Sequence, residues 1–184
     1  MGEATTIESV GFNRRPFLAP LLLAVLWGIG PALPALLRGE LLGHGYTDLF
    51  PSVWGLWLFS EAQPGLPDST LMLGHPEGMG FVYSSPIKGW LATLLIPLFG
   101  LANTWNILLI AARIATVVTS WMAARAWGLG PKGALTAAAV YGCSPFFQGY
   151  AVEGIVEGTD GWTLALWAWV LGVGRLRLSA VFLA

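Results

Sequence analysis

The chain has 184 residues, 55% of them hydrophobic and only 10% charged, with a formal net charge of -1 and a mean hydropathy of +0.68. A soluble domain carries about 25% charged residues, and nine basic and ten acidic side chains cannot keep a 19.6 kDa globule in water. A soluble enzyme, a disordered tail and a nucleic-acid binder are thereby excluded. The single cysteine, Cys143, excludes an internal disulfide framework and a multi-cysteine metal site. Ten tryptophans and 24 glycines suit a bilayer, where indole rings prefer the interface and glycine lets helices approach closely.

After a polar start ending in Arg14-Arg15, an apolar run covers 16–37. At about 1.5 Å per residue it can cross a hydrocarbon core of about 30 Å. It is long for a secretory signal and lacks a small-x-small cleavage site, so an uncleaved first helix is predicted. Residues 38–85 form an external loop punctuated by Gly, Pro and acids. Within it, 48–62 reads as a helix. Leu49, Phe50, Val53, Trp54, Trp57 and Leu58 recur at helical spacing, and Pro51 falls in the first turn, where it is tolerated. Too short to span, it is predicted to lie along the membrane surface.

Residues 86–99 are apolar but cover about two-thirds of a crossing, which predicts a partly inserted or re-entrant helix ending at Gly100. The stretch 103–124 can span, with Arg113 near its middle. A tight turn containing Pro131 and Lys132 precedes a further span over 134–150. Residues 151–161 are acidic and glycine-rich, and 161–174 begins a return crossing that stops short at Arg175 and Arg177. The final apolar stretch, from Leu178 to Ala184, is too short to cross anything, so the chain is expected to be incomplete at its C-terminus.

The predicted fold is therefore all-α: a single membrane domain, a polytopic transmembrane helix bundle of about four crossings with an interfacial helix and a re-entrant one. Placing the N-terminus in the cytoplasm puts Arg14, Arg15, Arg125, Lys132, Arg175 and Arg177 inside, as the positive-inside rule requires. Every acid except Glu3 and Glu8 then faces outward. A bacterial inner (plasma) membrane is the expected location.

Two external stretches carry the candidate chemistry. Asp48, at the start of the 48–62 helix, suits either an N-cap or a carboxylate that acts as general base or cation ligand. Glu153, Glu157 and Asp160 fall on one stripe if helical, where they repel unless a cation, a basic partner or water relieves them. A solvated loop and a hard-cation site both account for that pattern. Lys88 suits a snorkelling anchor or a counter-ion for a lipid phosphate. An arginine in mid-span costs about 2.5–3.5 kcal/mol even on the lenient insertion scale, so Arg113 is expected to face the bundle interior with a partner. His44 and His75 stand outside any histidine-ligand spacing.

Three stretches carry a family likeness: Thr47-Asp48-Leu49-Phe50-Pro51-Ser52-Val53-Trp54, then Ser84-Ser85-Pro86-Ile87-Lys88, then Tyr141-Gly142-Cys143-Ser144-Pro145-Phe146 running into Glu153 and Glu157. With the helix order they resemble the GT-C superfamily of integral-membrane glycosyltransferases, in particular the bacterial members related to protein mannosyltransferases and aminoarabinose transferases. By that resemblance Asp48 is the first-loop catalytic acid, Lys88 the basic residue near the donor phosphate, and Glu157 or Asp160 the second-loop acid. The sequence departs from the family pattern in placing Leu49 directly after Asp48 and in lacking an Asp-x-Asp motif.

The expectation that follows is transfer of a sugar from a polyprenyl-phosphate donor to an extracytoplasmic acceptor. Asp48 is the catalytic base, Lys88, Arg113 and Glu153 bind substrate, and Glu157 and Asp160 hold a divalent cation, Mg or Mn. The expected partners are the lipid bilayer, the lipid-linked sugar and further membrane helices or subunits. The alternatives are a non-catalytic polytopic membrane protein, such as a transporter or assembly subunit, and an inactive transferase remnant.

Overall fold

The computed structural model describes the backbone of residues 15–45, 48–61, 85–155 and 157–182, and the side chains of 17–45, 48–61, 85–155 and 158–174. The polar N-terminal stretch and the loop over 62–84 lie outside the described residues. Those described are helical, with no strand among them. Two stretches, Phe17–Arg38 and Pro86–Ala126, are long and apolar enough to cross a membrane, and Gly161–Gly174 is a shorter apolar helix.

The first apolar stretch is built in pieces. Helix α1 (Arg15–Ile29) gives way to a 3-10 turn at Gly30–Ala32 and then to α2 (Leu33–Arg38). Pro31 and Pro34, each lacking an N–H, fall at the starts of the turn and of α2, where no intrahelical donor is needed. Gly39 ends α2 in the left-handed conformation (φ 68°). Its N–H reaches the Leu36 carbonyl at 3.2 Å and that of Glu40 reaches Ala35 at 2.9 Å, a Schellman closure. The chain leaving α2 is then tied down by later residues. Asn106 accepts from the Leu42 N–H at 2.8 Å and donates to the Glu40 carbonyl at 3.0 Å, while Trp105 Nε1 donates to the Leu42 carbonyl at 2.8 Å.

Helix α3 (Leu49–Glu61) buries Leu49, Val53, Leu56, Leu58 and Phe59 and leaves Phe50 exposed. It packs against α4. Gly89 makes this possible, since a Cβ there would stand 2.7 Å from the Phe59 ring.

Helix α4 (Pro86–Ala126) is not one rod. Gly100 has φ 74° and ψ 165°, outside helical space and open to glycine alone. Lys88, near one end of α4, is bonded to Asp160. Trp127, just past the other end, donates from Nε1 to the Ala168 carbonyl at 2.8 Å. Residues 160 and 168 are about 12 Å apart along a helix, whereas a straight α4 would separate 88 from 127 by about 58 Å. The arm 86–99 therefore doubles back at Gly100 along the shaft 101–126. Ala92 of the arm accordingly joins Trp105, Leu108 and Leu109 of the shaft in one apolar cluster with α3. Asn103 Nδ2 takes up the Phe99 carbonyl at the bend, at 2.9 Å. The shaft alone, at about 39 Å, exceeds a bilayer core.

Around the shaft pack α1, α5 (Pro131–Gly142) and α7 (Gly161–Phe182). Small residues set the distances. A Cβ on Gly28 would stand 2.6 Å from Ile114, and one on Gly142 would stand 2.7 Å from the Val117 Cα. Phe17 meets Trp121 edge to face with ring centroids 5.4 Å apart. The stretch 134–150 is divided: α5 ends at Gly142, and α6 (Pro145–Glu153) restarts with Ser144 accepting from the Phe146 N–H at 3.2 Å and Pro145 in its first turn. Helix α7 continues past Arg175 and Arg177, since no glycine or proline interrupts 175–182.

Candidate functional site

Three helix ends meet around the second acidic stretch. Ser85 precedes α4 with its backbone extended (φ -126°, ψ 76°), and its carbonyl accepts from Gly89 N at 3.0 Å. Its hydroxyl does not cap the helix and instead donates to Asp160 Oδ2 at 2.6 Å. One turn on, Lys88 is only 4% exposed. Its Nζ lies 2.7 Å from Asp160 Oδ1 and also donates to the Thr159 hydroxyl. Trp162 Nε1 adds a third donor to Asp160, at 3.0 Å on Oδ1.

Asp160 thus sits just before α7 with both carboxylate oxygens bonded, while its carbonyl accepts from the Thr163 N–H and hydroxyl. A buried ammonium is tolerated here because the Asp160 carboxylate and the Thr159 hydroxyl meet it, and removing one partner of such a pair costs about 3–5 kcal/mol.

The two acidic stretches also touch each other. Gly154 closes α6 in the left-handed conformation (φ 71°, ψ 18°), its N–H bonded to the Tyr150 carbonyl, and Ile155 N reaches the same carbonyl at 2.9 Å. A Cβ on Gly154 would lie 2.5 Å from the Leu49 Cα and 2.7 Å from the Leu49 N. The end of α6 therefore rests on the backbone that begins α3, and Asp48 and Glu153 each sit one residue from that contact. Asp48 holds the N-cap position, its carbonyl accepting from Ser52 N at 2.9 Å. Its side chain is exposed, and among the described residues no donor is bonded to its carboxylate. Glu153 is half-buried and engaged.

Aromatic rings fill the space beneath. Gly158 faces the Tyr150 ring and Gly161 the Phe147 ring, with room for no side chain at either glycine. Tyr141 meets Phe147 at 5.1 Å between centroids and donates from its hydroxyl to the Gly161 carbonyl at 3.1 Å. The end of α5, the start of α7 and α6 are thereby held in one unit.

The remaining expected site residues fall as follows. Glu157 lies in the 3-10 turn Glu157–Thr159, and its side chain is outside the described residues. Arg113 is buried in the shaft at 6% exposure, and its Nε and Nη1 have no hydrogen-bond partner among the described residues. His44 is exposed and engaged, and His75 lies outside the described residues. Among the described residues no three of His, Cys, Asp and Glu are grouped as metal ligands. The donor set around Asp160 fits a divalent cation poorly, because Lys88, Ser85 and Trp162 already use its oxygens and Lys88 brings positive charge to the same point.

Ser85, Thr159, Trp162 and Gly154 escaped the sequence reading. The one signal in the sequence was Ser85 three residues before Lys88 at a helix start, a spacing that puts both on one face.

Comparison with protein-family models, with curated proteins and with solved structures gives no match.

Proposed function

We propose that the chain is an integral-membrane glycosyltransferase of GT-C-like character, transferring a sugar from a polyprenyl-phosphate donor to an extracytoplasmic acceptor. In this reading the protein sits in a bacterial inner membrane with its N-terminus in the cytoplasm, and about four crossings support the re-entrant arm. The observation that supports it best is the contact of Gly154 with Leu49, which joins the two acidic stretches and leaves the Asp48 carboxylate exposed beside them.

Asp48 is the general base. It takes the proton of the acceptor hydroxyl as that oxygen attacks the anomeric carbon, and the bond from that carbon to the donor phosphate oxygen breaks. A single displacement inverts the anomeric centre. Charge developing on the departing phosphate falls to the basic side chains of the site, in the manner of an electrostatic clamp.

The test is transfer from a polyprenyl-phosphate sugar by the protein in lipid nanodiscs, wild type against Asp48→Asn. Loss of transfer by about a hundredfold or more, the scale of a general base, supports the reading. Equal turnover overturns it.

A second reading, a non-catalytic membrane protein such as a transporter or assembly subunit, draws on one specific observation. Lys88 and Asp160 satisfy each other inside the fold, as residues holding helices together do. It predicts that Asp48→Asn changes nothing measurable.

A further inference from the structure

Ser85 Oγ, Lys88 Nζ and Trp162 Nε1 converge on the two oxygens of one carboxylate, all within 3.0 Å, where the first turns of α4 and α7 meet. Hydroxyl, ammonium and indole donors converging beside two helix N-termini form a set that suits any oxyanion, and phosphate presents the same kind of acceptor oxygens as carboxylate. The carboxylate that fills the set is supplied by the chain itself.

We propose that this cradle is an oxyanion site in which Asp160 acts as an internal ligand, and that a phosphate group displaces the Asp160 carboxylate from Lys88 and Ser85. Displacement exchanges one anion for another on the same donors, so the buried ammonium is never left without a counter-charge. It also loosens Asp160 from the arm of α4, because Ser85 and Lys88 tie its carboxylate to that arm. The proposal rests on the transferase reading only for the source of the phosphate. The resting state is accordingly self-blocked, and phosphate affinity in the wild type is reduced by the fraction of molecules in which Asp160 occupies the cradle.

Equilibrium binding in nanodiscs tests this with two probes: inorganic phosphate, and phosphatidic acid titrated into a zwitterionic bilayer. Asp160→Asn removes the competing charge and is expected to tighten binding of at least one probe by about tenfold, the factor for an internal ligand in place nine-tenths of the time. Lys88→Gln is expected to abolish that binding in both backgrounds. A gain for phosphatidic acid alone assigns the cradle to a lipid headgroup, and a gain for inorganic phosphate assigns it to free phosphate. Should Asp160→Asn fail to fold, Trp162→Phe removes a donor that holds the internal ligand while keeping Ser85 and the ion pair, with a smaller gain expected. Unchanged affinity for both probes in whichever of these variants folds overturns the proposal. Asp48→Asn leaves this binding unaltered, so the cradle and the base assignment fail separately.

Discussion

Gly154 and Leu49 lie in backbone contact: a Cβ on the glycine would be 2.5 Å from the Leu49 Cα. The end of α6 and the beginning of α3 are thereby fixed against each other across about a hundred residues of chain. Two demands coincide at Gly154, a positive φ and the absence of a side chain. Gly154→Ala meets a left-handed penalty of about 1–2 kcal/mol together with an overpacking cost of about 1–3 kcal/mol. Reversible unfolding in mixed micelles should show a loss of at least about 2 kcal/mol, and a loss under about 0.5 kcal/mol would remove Gly154 as the contact that joins the two stretches.

Lys88 and Asp160 should behave as a coupled pair. Lys88→Met alone and Asp160→Leu alone each leave one charge buried without its partner, which costs about 3–5 kcal/mol. The double variant removes both charges and should recover most of that loss, with a coupling energy of about 2 kcal/mol or more in the unfolding cycle. Simple additivity would show that the two side chains do not depend on each other.

Asp48→Asn should separate function from stability. The side chain is exposed and bonded to no described residue, so the unfolding free energy should change by no more than about 0.5 kcal/mol. The transferase reading then requires loss of turnover in a protein that is as stable as the wild type.

Arg113→Met should raise stability. The guanidinium is buried, with Nε and Nη1 unpartnered among the described residues, and an apolar side chain of similar length fills the same space without the desolvation cost. Replacing buried charge in this way gains about 1–4 kcal/mol in known cases. A fall in stability of that size would instead identify an anion bonded to Arg113 in the membrane.

The helices were legible because apolar run length and Pro/Gly punctuation are local properties. Gly100 marks the end of the 86–99 stretch, whereas Pro31 and Pro34 segment 16–37 without breaking the apolar run that predicted one helix there, and Ser144-Pro145 is an N-cap followed by a first-turn proline. The last of these was legible in principle but hidden by the unbroken apolarity of 134–150, because hydropathy does not register a helix restart. The interior position of Arg113 also followed from composition, since a charge in an apolar span has nowhere else to go. Its bonding did not follow, because a counter-charge is a matter of neighbours.

The amino-acid sequence by itself determined that this is a helical, apolar chain with eight of its ten acids gathered in two segments outside its apolar stretches. Only the tertiary structure decided what those segments do to each other. The bend at Gly100 sends the arm back along the shaft, and that reversal carries Lys88 to Thr159 and Asp160, although Lys88 and Thr159 stand 71 positions apart in the chain. Sequence spacing predicts contacts along one helix face, where the backbone fixes the distance. A pairing across helices depends on where the chain turns, and at Gly100 one residue free of a Cβ sets that direction for everything before it.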